Sequence, residues 1–164
     1  MWHEVWRGIL ADFTDVPSIA ELAQIIVRLL LAAVLGGLLG IQRELTGKAA
    51  GLRTHMLVAM GAAFFTLIPV QAGMPITDLS RVLQGVIVGV GFLGAGTILQ
   101  LKRQEQIVGL TTAAGLWLTA AIGIAAGMGR EVSAIVGTVL AFLILALLPR
   151  LTPPGDNKED GNTA

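Results

Sequence analysis

The stretch that decides the fold is Leu22–His55, LAQIIVRLLLAAVLGGLLGIQRELTGKAAGLRTH. Its first part, Leu22–Ile41, contains a single charge, Arg28, and has the length of the ~20 apolar residues that cross a ~30 Å hydrocarbon layer. A short polar segment follows, and a second apolar run begins at Leu52. This order predicts a membrane hairpin, in which two spanning helices are joined by a tight loop.

The same pattern repeats along the chain. The apolar runs are approximately Leu22–Ile41, Leu52–Ala72, Val82–Leu101, Ile107–Gly127 and Val132–Pro149. They are apolar nearly all round, whereas helices of a water-soluble bundle would show polar stripes. Hydrophobic residues make up 54% of the chain and charged residues 13%, against about 25% charged residues in globular proteins. We therefore expect an all-α membrane protein, a compact bundle of about five transmembrane helices within residues 18–151.

The ends of the chain differ from this middle part. Within residues 1–17 the apolar positions lie on one helical face, namely Trp2, Val5, Trp6, Ile9, Leu10 and Phe13. This predicts an amphipathic helix in the membrane interface, with a partner-binding or disordered tail as the alternative. Ser18 and Glu21 fit a capping box before the first span. Residues 152–164 are polar, and we expect a disordered cytoplasmic tail there.

The basic residues predict the orientation of the chain, because cytoplasmic loops are enriched in Lys and Arg. The first loop, the third loop and the C-terminal tail contain most of them: Arg43, Lys48, Arg53, Lys102, Arg103 and Arg150. The second and fourth loops offer only Arg81 and Arg130. We expect the N-terminus outside and the C-terminus in the cytoplasm, as an odd number of spans requires.

Small residues recur at intervals of four along the predicted spans. They are Ala32, Gly36 and Gly40; Gly85 and Gly89; Gly115, Thr119, Gly123 and Gly127; and Ser133, Gly137 and Ala141. In lipid, close backbone contact between such residues helps helices to associate. The pattern predicts tight helix crossings, with the fourth span at the centre of the bundle.

One glycine motif resembles a nucleotide site but lies in the wrong context. Gly89–Gly94 reads GVGFLG, which matches G-x-G-x-x-G. A dinucleotide site needs a preceding strand and an acid about 20 residues later, and this run has neither. Helix packing is the favoured interpretation, and a local opening of the backbone along an ion path is the alternative.

Composition excludes several kinds of chemistry. The chain has no cysteine and no tyrosine, and His3 and His55 are its only histidines. The formal net charge is zero, which argues against a nucleic-acid partner. Because no nucleophile–base pair or metal cluster can be assembled, we expect a non-enzymatic protein without a cofactor or metal site.

The polar first loop is a cytoplasmic hairpin by default and the best candidate contact surface. Arg43 and Glu44 lie at the end of the first run, and Arg53 lies at the start of the second. Arg53 is unfavourable beside a helix N-terminus, so we expect a compensating contact with Glu44.

Two further candidates lie toward the opposite side of the membrane. Asp78 is expected to cap the third span, with Arg81 one turn later. Because Asp78 and Glu44 are predicted at opposite faces, they cannot ligate one ion together. Arg28 lies about two turns inside the first span and is a functional candidate by its depth. It either extends to the interface or pairs with Asp78 or Glu21.

Several of these residues occur in one recognisable order. The motifs are GIQRE at 40–44, AGLRTH at 50–55, D-x-x-R at 78–81, GVGFLGAGTIL at 89–99 and GLTTAAGLW at 109–117. Together they resemble the MgtC/SapB family of bacterial inner-membrane proteins. The resemblance implies a five-span, multi-pass protein linked to magnesium limitation, acid stress and virulence. It also implies that a membrane part restrains the ATP synthase through its membrane subunits, and that the functional patches include Arg43, Glu44, Arg53, Asp78 and Arg81.

The chain departs from that family pattern in three places. Gln42 stands where the family has an acid, and Val108 stands where it has an arginine. The chain also ends soon after its last span, so it looks like a short form without the soluble C-terminal domain. Loss of the carboxylate at position 42 weakens any cation or proton role at this end.

Two functions therefore remain open. The first is a regulator that acts by helix-to-helix contact with a membrane complex such as the ATP synthase. The alternative is a small oligomeric cation or proton transporter, with Arg28, Asp78 and the glycine-rich third span on its path.

Overall fold

The computed structural model describes residues 1–12, 18–101 and 106–151. The elements are α1 (Trp2–Asp12), α2 (Ile19–Leu45), α3 (Leu52–Gln71), α4 (Ile76–Gly96), β1 (Leu99–Leu101), β2 (Gln106–Val108), α5 (Leu110–Gly127) and α6 (Glu131–Leu151). The predicted break at Asp15 and Pro17, the predicted loop charges Lys102 and Arg103, and the predicted tail 152–164 lie outside the described residues.

Five helices, α2 to α6, are long and apolar enough to cross a membrane, which confirms the predicted fold class. Several predicted boundaries were wrong, including the start of the fourth span, which is Leu110 because Ile107 and Val108 belong to β2. The third span begins at Ile76 and ends at Gly96, and the residues after it enter a short antiparallel hairpin between β1 and β2. Helix α2 also extends to Leu45, because Gln42 and its neighbours remain helical.

Local signals account for where α2 begins and ends. The backbone N–H of Glu21 donates to Oγ of Ser18 (3.1 Å), which confirms Ser18 as the N-cap. At the other end the chain turns at Gly47, whose φ of +67° is favourable only for glycine. The Lys48 N–H then donates to the Arg43 carbonyl (3.0 Å), which is the 6→1 bond of a Schellman motif. This turn returns Lys48 to the last turn of α2.

Helix α5 is central, as predicted, since it contacts α2, α3, α4 and α6. Small residues permit these contacts. A Cβ at Gly36 would lie 2.6 Å from the His55 carbonyl oxygen, and a Cβ at Gly123 or Gly127 would collide with the backbone of Ala59 or Ala63. The glycines of α2 and α5 therefore allow both helices to pack tightly against α3.

Of the other two predicted stripes, that of α4 packs against no described residue, and that of α6 packs within the bundle only in part. A Cβ added at Gly85 or Gly89 of α4 would meet no atom of the described residues within 4 Å. In α6, Ser133 is exposed, but Ala141 is buried as predicted and a Cβ at Gly137 would lie 3.6 Å from Ile122 of α5. Helix α6 also buries Ala134 and Thr138. The GVGFLG motif lies within the continuous helix α4, so the proposed local opening of the backbone was wrong.

Helix α1 forms as predicted, and its large apolar side chains are exposed. Trp2 and Trp6 are 81% and 61% exposed, and no atom of the described chain would touch a Cβ at Gly8. An exposed apolar face is expected of a helix that lies in the membrane–water interface. The position of α1 in the membrane interface stays a prediction.

Candidate functional site

The alternating spans give the bundle two polar ends. One end, which we call the hairpin end, contains the α2–α3 loop, the start of α5 and the C-terminal end of α6. The opposite end, which we call the turn end, contains the α3–α4 and α5–α6 turns. The sequence places Glu44 at the first and Asp78 at the second, with α3, which is about 30 Å long, between them.

Arg43 is the most unusual residue of the hairpin end. Its side chain lies in the last turn of α2 and is only 4% exposed. One guanidinium nitrogen, Nη2, donates to Oγ1 of Thr112 in α5 (2.8 Å), while Nε has no partner. No carboxylate of the described residues forms an ion pair with it. Because arginine stays protonated, Arg43 is a buried positive charge that no described residue neutralises.

Gln42 connects α2 to α6 through a carbonyl that a proline leaves free. Pro149 lies within α6 and has no N–H, so it cannot bond the carbonyl four residues earlier, at Leu145. Nε2 of Gln42 donates to that oxygen (3.0 Å). A carboxylate in this position could not donate, so the side-chain amide of glutamine suits this contact.

His55 also lies at this end, on the first turn of α3, and is fully buried. Its Nδ1 is 3.0 Å from the Gly51 carbonyl oxygen, so Nδ1 carries the proton in this contact. Its Nε2 has no partner, and a Cβ added at Gly115 would lie 3.8 Å from it. Sequence reasoning did not choose His55 as a site residue, although its place beside Arg53 was a signal.

Glu44 acts differently from the prediction. Its Oε2 accepts from the Leu52 N–H (2.8 Å) and so caps the start of α3. Arg53 is exposed, and no ion pair joins it to Glu44 in the described part of the chain. The predicted Glu44–Arg53 contact was wrong, because the carboxylate reaches a free N–H of the helix terminus first. A Cβ at Gly51 would lie 2.6 Å from this carboxylate oxygen.

A crevice of about 1000 Å³ opens beside Arg43 between α2, α5 and α6. We call it the Arg43 crevice. Its lining comprises Gln42, Arg43, Leu45, Thr46, Lys48, Gly109, Leu110, Thr111, Thr112, Phe142, Leu143, Leu145, Ala146, Leu147 and Pro149. Polar and basic groups come from α2, its loop and the start of α5, whereas α6 contributes an apolar wall.

The turn end holds Arg28, but with a different partner from those predicted. Nε of Arg28 is 3.9 Å from Oε1 of Glu131, and Nη1 donates to the Gly127 carbonyl (3.4 Å). Arg28 therefore holds the α5–α6 turn and pairs with neither Asp78 nor Glu21. Sequence reasoning missed Glu131, which is the first residue of α6.

Asp78 and Arg81 are both exposed at the turn end. The N-cap of α4 is Pro75, and Asp78 lies inside the first turn, so its predicted capping role was wrong. The helix begins earlier than expected because Pro75 is extended (ψ 146°) and its carbonyl accepts the N–H groups of Asp78 and Leu79. The Asp78 carboxylate still interacts favourably with the helix dipole, because it lies near the positive, N-terminal end of α4.

The described residues contain no group of three His, Asp or Glu side chains arranged to hold a metal ion. The polar contacts at the two ends join helices to one another. The hairpin end thus offers a fixed positive charge and hydrogen-bond donors, and the turn end offers one partly exposed ion pair.

A second feature is apolar and lies between α3 and α4. This α3/α4 groove has a volume of about 690 Å³. It is lined by Leu57, Val58, Gly61, Ala62, Phe65, Val82, Gly85, Val86, Gly89, Val90 and Leu93. Three of these are glycines whose added Cβ would meet no described atom within 4 Å. The predicted glycine stripe of the third span therefore faces this open groove.

Comparison with known proteins identifies related sequences. The sequence model of the MgtC family matches residues 29–153 of this chain. An Escherichia coli K12 protein named "Putative magnesium transporter YhiD" is 44% identical over 137 residues, which cover 79% of this chain and 63% of that protein. Protein SrpB of Synechococcus elongatus is 46% identical over 135 residues, 76% of this chain and 74% of SrpB.

A Brucella abortus relative, Protein MgtC, is 44% identical over 119 residues, which cover 71% of this chain. The chain spans 63% of the length of the Escherichia coli relative and 48% of the Brucella relative. No solved structure matches the chain.

Proposed function

The chain belongs to the MgtC family of membrane proteins, and we propose that it is a regulator that binds a membrane complex by helix-to-helix contact. The regulator acts without enzymatic chemistry, in the bacterial inner membrane, under magnesium limitation or acid stress. Its partner is a complex such as the ATP synthase, through that complex's membrane subunits. The N-terminus lies outside and the hairpin end lies in the cytoplasm.

The α3/α4 groove is the observation that carries this proposal. Glycine costs about 1 kcal/mol in a helix relative to alanine. At Gly123 and Gly127 the cost is offset by packing against α3, but Gly85 and Gly89 pack against no described residue. A helix from another protein can approach the backbone closely at Gly61, Gly85 and Gly89 and offset the cost there.

The orientation rests on the distribution of basic residues. Arg43, Lys48 and Arg53 belong to the hairpin end, and Lys and Arg are enriched on the cytoplasmic side. The third loop adds Lys102 and Arg103 on the same side, whereas the turn end carries Arg28, Arg81 and Arg130 with the acids Asp78 and Glu131. The hairpin end therefore has the stronger positive bias.

Transport of a cation is the rival function, and the name of the Escherichia coli relative favours it. The contacts of the polar residues favour the regulator. Helix α4 is unbroken, and Arg28 is held by Glu131 and the Gly127 carbonyl. The centre of the bundle is closed by backbone contacts such as that between Gly123 and Ala59.

Two measurements on the same preparations test the proposal. Inverted membrane vesicles containing the ATP synthase should pump protons more slowly when this chain is present. Gly85→Leu with Gly89→Leu fills the groove and should restore most of the pumping rate. Val88→Leu is the matched control, because Val88 lies on α4, is 73% exposed and does not line the groove.

Transport is measured separately with purified protein in sealed vesicles. We expect no magnesium or proton flux above that of empty vesicles. A flux that Asp78→Asn abolishes would establish the transporter and reject the regulator. Equal inhibition of pumping by the wild type and by the groove-filled variant would also reject the proposal.

A further inference from the structure

The Arg43 crevice contains positive groups that nothing in the described chain neutralises. Arg43 is only 4% exposed, and its Nε has no partner among the described residues. Burial of a charge without a counter-charge is strongly unfavourable, so buried charges in native proteins are usually paired. The Arg43 guanidinium lines the crevice and pairs with no carboxylate of the described residues, so an anionic ligand is the expected partner there.

The start of α5 adds a second, independent positive group. Its N-cap is Gly109, which provides no side-chain cap, and Leu110, Thr111 and Thr112 line the crevice. The first N–H groups of a helix lack intrahelical acceptors and lie at the positive end of the helix dipole. Phosphate groups bind at such termini.

Lys48 is the third positive group, and the Schellman turn at Gly47 brings it beside Arg43. Lys48 is exposed and lines the crevice, so its ammonium can reach an anion at the crevice mouth. Glu44, the nearest acid in the sequence, is engaged by the Leu52 N–H and does not line the crevice. The crevice is therefore basic with no carboxylate among its lining residues.

The shape and depth of the crevice indicate the source of the anion. Its volume of about 1000 Å³ is at the upper end of the ~300–1,000 Å³ usual for ligand pockets, so an inorganic anion would leave most of it empty. Arg43 lies within about 3 Å of the end of α2, near the level of lipid headgroups. The α6 wall from Phe142 to Pro149 extends about 10 Å along the span and is largely apolar.

We propose that the Arg43 crevice binds the phosphate group of an anionic phospholipid, with an acyl chain against α6. The phosphate accepts hydrogen bonds from Arg43, Lys48 and the first N–H groups of α5. Phe142 and Leu147, which are 42% and 44% exposed, contact the acyl chain. Basic pockets between spanning helices are suited to acidic headgroups, and this binding does not depend on the identity of the protein partner.

Native mass spectrometry of the full chain tests the proposal. The protein is released from detergent micelles containing equal amounts of phosphatidylglycerol and phosphatidylcholine with identical acyl chains. We expect the wild type to retain phosphatidylglycerol about tenfold over phosphatidylcholine. Arg43→Gln should remove this preference, and Lys48→Gln, at an exposed position, should reduce it about threefold.

Arg53→Gln is the matched control, because Arg53 is exposed at the same end and does not line the crevice. It should retain the wild-type preference. Equal retention of both lipids by the wild type would overturn the proposal, as would a loss with Arg53→Gln as large as that with Lys48→Gln. Displacement of phosphatidylglycerol by millimolar inorganic phosphate would also overturn it and assign the crevice to a soluble anion.

Discussion

Pro149 explains why a glutamine stands at position 42. The proline leaves the Leu145 carbonyl without its intrahelical donor, and Gln42 supplies one from another helix. An unsatisfied carbonyl in a dry environment costs about 1–3 kcal/mol. A residue that seemed only a departure from a family pattern is therefore part of the contact between α2 and α6.

A double-mutant cycle tests this relation. Gln42→Leu should lower the free energy of unfolding by about 1–3 kcal/mol, because it leaves the Leu145 carbonyl unpaired. In a Pro149→Ala background, the new N–H bonds Leu145 within α6, and Gln42→Leu should cost at least about 1 kcal/mol less. Unfolding in detergent, followed by circular dichroism, gives the values. Pro69→Ala in α3 is the control, and its effect should add to that of Gln42→Leu; additivity with Pro149→Ala as well would refute the relation.

Glu44 gives a second prediction at the residue scale. Its carboxylate accepts the Leu52 N–H, which is a capping contact and not an ion pair with Arg53. Glu44→Gln keeps an accepting oxygen and should change stability by only a few tenths of a kcal/mol, whereas Glu44→Ala should cost about 1 kcal/mol. Thermal unfolding of both variants measures the difference. Equal losses of stability in the two variants would show that Glu44 stabilises the protein through its charge and not through the capping hydrogen bond.

At the scale of helices, two sets of glycines have different surroundings. Those of α2 and α5 lie against α3, while Gly85 and Gly89 of α4 face the open groove. Spacing in the sequence is the same in both sets, so spacing alone does not distinguish a crossing within the chain from a surface left for another helix. The distinction depends on how α4 is rotated about its axis.

Substitution at matched glycines tests this distinction. Gly123→Ala would place a Cβ against the Ala59 backbone, and we expect a loss of about 3 kcal/mol in unfolding free energy. Gly89→Ala meets open space and should leave stability unchanged or raise it by up to about 1 kcal/mol. Unfolding in detergent by increasing sodium dodecyl sulfate compares them. Similar losses for both would mean that α4 also packs through its glycines within the chain.

At the scale of the whole molecule, the spans and the central place of α5 could be predicted, because hydropathy and small-residue spacing are local properties of the sequence. The contacts of Arg28 and Gln42 could not. Each depends on helix rotation between distant elements, and a shift of one residue turns a helical side chain by about 100°. At the start of α6 the buried residue is Ala134 and not the predicted Ser133, although Ala141 is buried as predicted.

The topology itself can be measured, because the chain has no natural cysteine. Ala49 in the α2–α3 loop and Met74 in the α3–α4 turn are both exposed and lie at opposite ends of the bundle. In intact cells, Met74→Cys should react with a membrane-impermeant maleimide, and Ala49→Cys should react only after the membrane is opened. Labelling of both from outside would reject the five-span arrangement.

The most direct test of the account is site-specific photo-crosslinking in native membranes. A photoreactive phenylalanine analogue at Phe65 or Leu93, which line the α3/α4 groove, should capture a membrane subunit of the ATP synthase. The same analogue at Val88, exposed on another face of α4, should not. Equal capture at all three positions, or no capture from the groove at full expression, would contradict the claim that this groove receives the helix of a partner.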